Sequence, residues 1–270
     1  MCSYSLVAAL VVVTGQFTAG NRPPIVPKHA VAFETRDQRD ARKRAIEVFL
    51  SEEPVDVDEA MTYLDPHQNL INQKGTQGHN FIVLWVRGKN DVSMNATYSA
   101  TMTQFVDFTG GRFNADINTL TPDTVGGRVW MSSAGKTMSG DSYMIDVTFS
   151  SPIKRLPAGT KLAAGGGEPG QALQSLYAAM AKKDWDGIQH GVSESTQKSF
   201  DDLDDALSSL GIWLPKKAGK ITGGEVRGDT AVLEMEAEIF QGTKGLFLVK
   251  MVRRGPNWVF DQATRAGMID

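Results

Sequence analysis

Two periods of hydrophobic patterning divide the chain. Up to about residue 153 the apolar positions recur every second residue or run continuously over strand-length stretches. From about residue 170 they recur every three to four residues, and then return to period two. Arg44 to Leu50, RAIEVFL, combines β-branched and aromatic residues and predicts a strand that ends before Pro54. Val57 to Leu64 predicts a short helix capped by Asp56 or Asp58 and ended by Asp65-Pro66, with a turn-rich connection over Gln68 to Asn80. Asn80 to Arg87, NFIVLWVR, is a near-continuous apolar run, and Gly88-Lys89-Asn90-Asp91 is a turn. Over Val92 to Phe108, Met94, Ala96, Tyr98, Ala100 and Met102 share one face and Asn95, Thr97, Ser99, Thr101 and Thr103 the other, so 80–87 and 92–103 predict a hairpin. Phe113 to Leu120, Gly127 to Ser132 and Ser142 to Ser150 continue the strand series. Many short strands and little helix predict an antiparallel β-sandwich-like domain over 44–156.

Residues 157–170 carry Pro157, the triplet Gly165-Gly166-Gly167 and Pro169, a composition that predicts a linker. The triplet lacks the Lys-Ser/Thr and the βαβ setting of a phosphate-binding loop. Beyond it Ala172, Leu173, Leu176, Tyr177, Met180 and Ala181 fall on one helical face. Asp184 caps a short helix holding Trp185 and Ile188, and Ser193 caps a third that carries Phe200, Leu203, Leu207 and Leu210 to Gly211. Strands follow over 220–227, 230–240, 246–253 and from Trp258. In the second of these, Leu233, Met235, Ala237 and Ile239 oppose Glu234, Glu236 and Glu238. Helices followed by an antiparallel meander predict an α+β unit over 171–270.

Charge narrows the function classes. The formal net charge of −3 gives no basic footprint for nucleic acid, and the run Arg36 to Arg44 alternates with Asp37 and Asp40 as a mixed solvated segment. Cys2 is the single cysteine, which excludes a disulfide framework or a cysteine metal site. Residues 1–20 have an apolar centre, Leu6 to Val13, followed by Thr18-Ala19-Gly20, the pattern of a signal peptide cleaved near Gly20 but without a positively charged start. The run is too short for a membrane span of about 20 residues, so no span is expected after signal removal. Asn21 to Lys28, with Pro23, Pro24 and Pro27, reads as an extended tether, part of an extended N-terminal segment over 21–43.

The helix LQSLYAAMAKKDWDGI, the stretch GGEVRGDTAVLEMEAE and the ending LVKMVRRGPNWVFD resemble the nuclear-transport-factor-2-like, or cystatin-like, superfamily. The features that carry the likeness are Asp184-Trp185, Gly228-Asp229-Thr230-Ala231 and Trp258-Val259-Phe260, over about the last hundred residues. The whole-chain layout is similar to two-domain exported proteins of bacteria. The resemblance implies a cone-shaped sheet with a pocket beneath the helices, and a periplasmic or secreted setting. Members include isomerases, dehydratases and cyclases as well as proteins that only bind or dimerise, so the fold does not decide.

Enzymatic members place an Asp–His pair on the pocket face. Here the expected inward positions are Leu233, Met235, Ala237, Ile239, Leu246, Leu248, Tyr177 and Trp213, which supply no general acid or base apart from the Tyr177 phenol. His190 with Asp184 or Asp186 is the nearest acid–base pair, and its polar turn favours an exposed imidazole. Tyr177, Trp185, Phe200, Trp213, Met235 and Phe247 are the candidate ligand-binding residues; as aromatic and apolar groups they also suit a plain core. The Glu234/Glu236/Glu238 ladder suits a solvated face or one that meets a partner domain. His67 and His79, 12 positions apart near Asp65, lack a metal-ligand spacing, and Asn95-Ala96-Thr97 is a glycosylation triplet within a strand. The expectation is therefore an exported binding or assembly protein without cofactor or metal. Its roll takes a protein partner or a small apolar ligand, homodimerisation is compatible, and a pocket isomerase or hydrolase using His190 is the alternative.

Overall fold

The structure is a computed structural model and describes residues 11–37, 39–73, 79–137, 140–240 and 242–269. It is a mixed α+β chain dominated by strands. Two units divide it. One takes the chain up to Thr35 and again over Arg44–Arg155; the other takes Arg36–Lys43 and the chain from Leu156 onward.

The first unit runs β1 (Val12–Ala19), β2 (His29–Arg36), β3 (Arg44–Ser51), α1 (Val57–Ala60), α2 (Pro66–Asn72), β4 (Phe81–Gly88), β5 (Asp91–Tyr98), β6 (Thr103–Phe108), β7 (Phe113–Leu120), β8 (Thr124–Met131), β9 (Gly135–Lys136) and β10 (Ser142–Lys154). The strand order is β6-β5-β4-β3-β2-β10-β8-β7, with β1 and β9 added to β10. The long β10 pairs antiparallel with β8 and β1, and its end pairs parallel with β2 through Ile153↔Ala32. Val48, Leu50, Ile82 and Leu84 join Val125, Val147 and Phe149 in one core. Phe49, Phe81, Val83 and Trp85, on the other face of β3 and β4, pack with Ala60 and Leu70 of the two helices. Burial on both faces accounts for the unbroken apolar run of β4.

Several expectations change here. The extended segment 21–43 contains β2, a strand inside the sheet whose Ala32 and Phe33 are fully buried. Asp65-Pro66 starts a helix: the Asp65 carboxylate accepts from the Gln68 amide and Pro66 takes the first position, where its missing N–H costs nothing. The strand expected over 92–108 is two. Tyr98 leads into a single turn over Ser99–Thr101, Met102 adopts φ 49°, and β6 returns antiparallel along β5. Of the segment expected to leave as a leader, residues 1–10, including Cys2, lie outside the described residues. Residues 12–19 form β1, paired with β10 from Val12↔Ser150 to Ala19↔Tyr143. Phe17 is fully buried, its ring centroid 5.3 Å from that of Phe105.

The second unit runs β11 (Thr160–Leu162), α3 (Gly167–Lys182), α4 (Trp185–Gly191), α5 (Glu194–Gln197), α6 (Leu203–Trp213), β12 (Lys220–Arg227), β13 (Thr230–Phe240), β14 (Thr243–Arg254) and β15 (Asn257–Ile269). Its sheet is antiparallel in sequence order, β11-β12-β13-β14-β15. The expected linker is thus partly structure: β11 pairs with β12, and the glycine triplet opens α3. Gly165, Gly166 and Gly167 all have positive φ, at 88°, 70° and 56°, a run that only glycine adopts cheaply. Gly170 must also lack a side chain, because a Cβ there would sit 1.9 Å from the Gly165 carbonyl oxygen. The helix expected from Ser193 to Gly211 is two. Ser193 caps α5, Asp202 caps α6 through the Asp205 amide, and Gly211 lies inside α6.

Register fixes the two faces of this sheet. Met235 pairs with Phe247 and Leu233 with Val249, and these side chains lie with Leu173, Leu176 and Leu210 of the helices in the core. Leu246 and Leu248, expected inward, pair with Glu236 and Glu234 and therefore take the opposite face. On that face Leu246 packs with Ala41 and Ile269. The Arg36–Lys43 segment lies there too. Ala41 is fully buried and its amide donates to the Met268 carbonyl at 3.0 Å. Arg36 bonds the Glu234 carboxylate, and the Arg42 guanidinium lies 3.3 Å from Glu236. The mixed charged run is therefore the partner of the glutamate ladder.

Candidate functional site

The helix-side face of the second sheet carries a groove of about 1150 Å³ where the end of α6 passes over β13, β14 and β15. Its position follows from local sequence. Trp213, in the last turn of α6, lies with its ring centroid 6.4 Å from those of Phe200 and Phe260, which anchors the helix end to the core. The next residues, Leu214 and Pro215, are buried, and the Tyr177 hydroxyl donates to the Pro215 carbonyl at 3.1 Å. That bond holds the turn through Lys216 to Gly219 over the groove. Burial raises the Tyr177 pKa well above its ordinary value, so the phenol stays protonated and serves as a fixed donor.

The floor is apolar. Ala237, Ile239, Phe247 and Ala263 contribute to it, and Gly245 makes room for Ile239, whose terminal carbon would be 2.3 Å from a Cβ at that position. Ile212 and Phe240 line the same groove and are 79% and 67% exposed, large apolar side chains left open to water at its edge. The charges around it divide by face. Lys216 and Lys217 come from the turn, and Arg265 pairs in register with Phe247 and so shares its face. All three are exposed, and among the described residues no carboxylate lies within ion-pair distance of them. Glu236 and Glu238 reach the groove from the other face of β13, where Arg42 takes the first and the Gly242 amide donates to the second at 2.9 Å.

Of the six candidate ligand-binding residues, the structure brings Trp213 and Phe247 to this groove. Tyr177 supports it from behind through Pro215. Phe200 and Met235 belong to the buried core, and the half-buried Trp185 packs against it. Missed from sequence were Ile212, Phe240 and the three cations. The exposed isoleucine and phenylalanine at the ends of α6 and β13 were the available signal, since each breaks the polar rule for an element end.

Of the acid–base candidates, Asp184 and His190 lie elsewhere, on a separate groove between α3, α4 and the turn before β15. Asp184 is spent on the α4 cap, accepting from the Gly187 amide at 3.1 Å. His190 is exposed, and its Nδ1 donates to the Asp186 carbonyl at 2.7 Å, not to a carboxylate. A base needs a carboxylate or imidazole aimed at a reacting atom, and these three do not converge on one. His67 is held in the first unit, with Nδ1 2.6 Å from Oε1 of the buried Glu47. His79 offers its backbone carbonyl to Ser99. Asn95 sits in β5 and accepts from the Thr97 hydroxyl at 3.2 Å. Among the described residues, no group of three or more His, Cys, Asp or Glu side chains converges as metal ligands would, and no helix is long and apolar enough to cross a membrane. Comparison with family models, with curated proteins and with solved structures finds no match to this chain.

Proposed function

We propose that this protein is a binding module whose second unit, a roll of the nuclear-transport-factor-2-like kind, takes a small apolar ligand in the α6–β15 groove. The observation that carries the proposal is the combination of a large apolar floor with Ile212 and Phe240 left open beside it. Its volume exceeds the roughly 300–1,000 Å³ common for small-molecule sites, room enough for a chain or fused-ring skeleton. The first unit, of antiparallel sandwich type, serves in this proposal as an assembly partner. The proposed setting, the bacterial envelope, rests on the residues 1–20 pattern and carries a condition: cleavage near Gly20 would withdraw β1 and Phe17 from the core. The experiment is displacement of a hydrophobic fluorescent probe, with Ala263→Trp as a groove-filling variant. Saturable binding that the variant abolishes supports the proposal; binding untouched by Ala263→Trp sinks it.

A further inference from the structure

We infer that the occupant of this groove is a single-chain amphiphile with an anionic head, held with its chain on the apolar floor and its head among Lys216, Lys217 and Arg265. The inference rests on the binding proposal above and narrows its ligand class. Of the five cations lining the groove with Ile239, Phe247 and Ala263, Lys220 and Lys244 pair in register with Glu236 and Glu238, while no carboxylate of the described residues lies within ion-pair distance of Lys216, Lys217 and Arg265. The carboxylates that approach, Glu236 and Glu238, sit on the opposite face of β13 and are already engaged by Arg42 and the Gly242 amide. Within a chain of net charge −3, these cations gather beside an apolar floor. A neutral hydrocarbon leaves those cations unused, and a small polar anion leaves the floor unfilled. A carboxylate, sulfate or phosphate on one long chain answers both, since charge-assisted bonds fix the head while buried methylenes contribute about 0.8 kcal/mol each.

The test titrates the full chain with oleate below its critical micelle concentration, with oleyl alcohol as the neutral-headed chain, and with vesicles of phosphatidylglycerol. Expected is saturable one-to-one binding of oleate, at least about tenfold tighter than the alcohol. K216E/K217E should remove that advantage, so that oleate binds no tighter than the alcohol to the variant; both positions are exposed, so folding is not at stake. Arg265→Glu is the independent second variant. Equal affinity for oleate and alcohol would overturn the anionic head while leaving an apolar pocket. Binding of neither would overturn the pocket proposal itself. Binding to vesicles without any to monomeric oleate would assign the patch to a lipid surface and overturn the groove ligand.

Discussion

Glu47 is the most telling single residue outside the groove. It is 1% exposed on β3, and its described side-chain partner is His67, whose ring also lies 5.8 Å from that of Trp85. Burial by itself would lower the His67 pKa, but the Glu47 hydrogen bond and charge, with a further contribution from Asp65, together raise it above its ordinary 6.5. The folded state therefore holds the proton more tightly than the unfolded chain. The resulting stability is fully present below the unfolded value and is lost as pH rises through the folded one. Urea denaturation at about pH 6 and about pH 9 should show this loss, and His67→Gln should flatten it. An unchanged slope in the variant would assign the pH dependence to other groups. The patterning of β3 made Glu47 visible as a polar position within an apolar strand. Its partner was hidden, because the two stand 20 positions apart, across a helix start misread at Asp65-Pro66. Phe17 was hidden for a different reason. Its neighbours read as a leader from composition, whereas the pairing with β10 is a long-range fact that no local window contains. Phe17→Ala should cost about 3–5 kcal/mol, read as a lowered urea midpoint; a cost below about 1 kcal/mol would mean β1 is peripheral.

Elements followed sequence where one interaction range decided them. The hairpin of β4 and β5, the Asp184 and Ser193 caps, and the meander from β12 to β15 were all legible, because turn residues and alternation are local signals. The misreadings occurred where tertiary contacts override them. β2 went unread after the proline tether, because it is held in the sheet between β3 and β10, the latter more than 100 residues away. The glycine triplet was taken for a linker, although its left-handed backbone is what starts α3. Gly170→Ala makes this measurable. In an ordinary helix the substitution stabilises by up to about 1 kcal/mol, but here the new methyl meets the Gly165 carbonyl. We expect a net loss of about 1–3 kcal/mol by denaturation, the scale of overpacking. A gain in stability would show that the α3 entry relaxes freely. In the site itself, Trp213 was legible as an inward aromatic; Phe247 was named as a pocket residue, although the expected strand faces turned its neighbours Leu246 and Leu248 inward in its place. The cations were not, since only the three-dimensional register places Arg265 beside Phe247.

For the whole molecule, chain order and unit membership do not coincide. Arg36–Lys43 belongs to the second unit although it lies between β2 and β3 in sequence. A fragment starting at Pro157 would lack Ala41, Arg36 and Arg42, and so would leave Leu246, Ile269, Glu234 and Glu236 without their cover. Such a fragment should melt lower than the same unit in the full chain. A double-mutant cycle of Arg36→Met and Glu234→Gln should give a coupling near 1 kcal/mol, and equal melting of fragment and full chain would remove the segment from the second unit's stability. The same assembly shapes the groove account. Arg42 on one face of β13 occupies Glu236, and the charges left on the other face are positive. The central claim is that this groove holds an apolar-chained ligand, and native mass spectrometry of full-length chain purified without detergent addresses it most directly. The account predicts a bound small molecule at one copy per chain, lost in Ala263→Trp and diminished in K216E/K217E. A bare chain that also fails to take up added oleate, or a bound mass unchanged by all three substitutions, would contradict it.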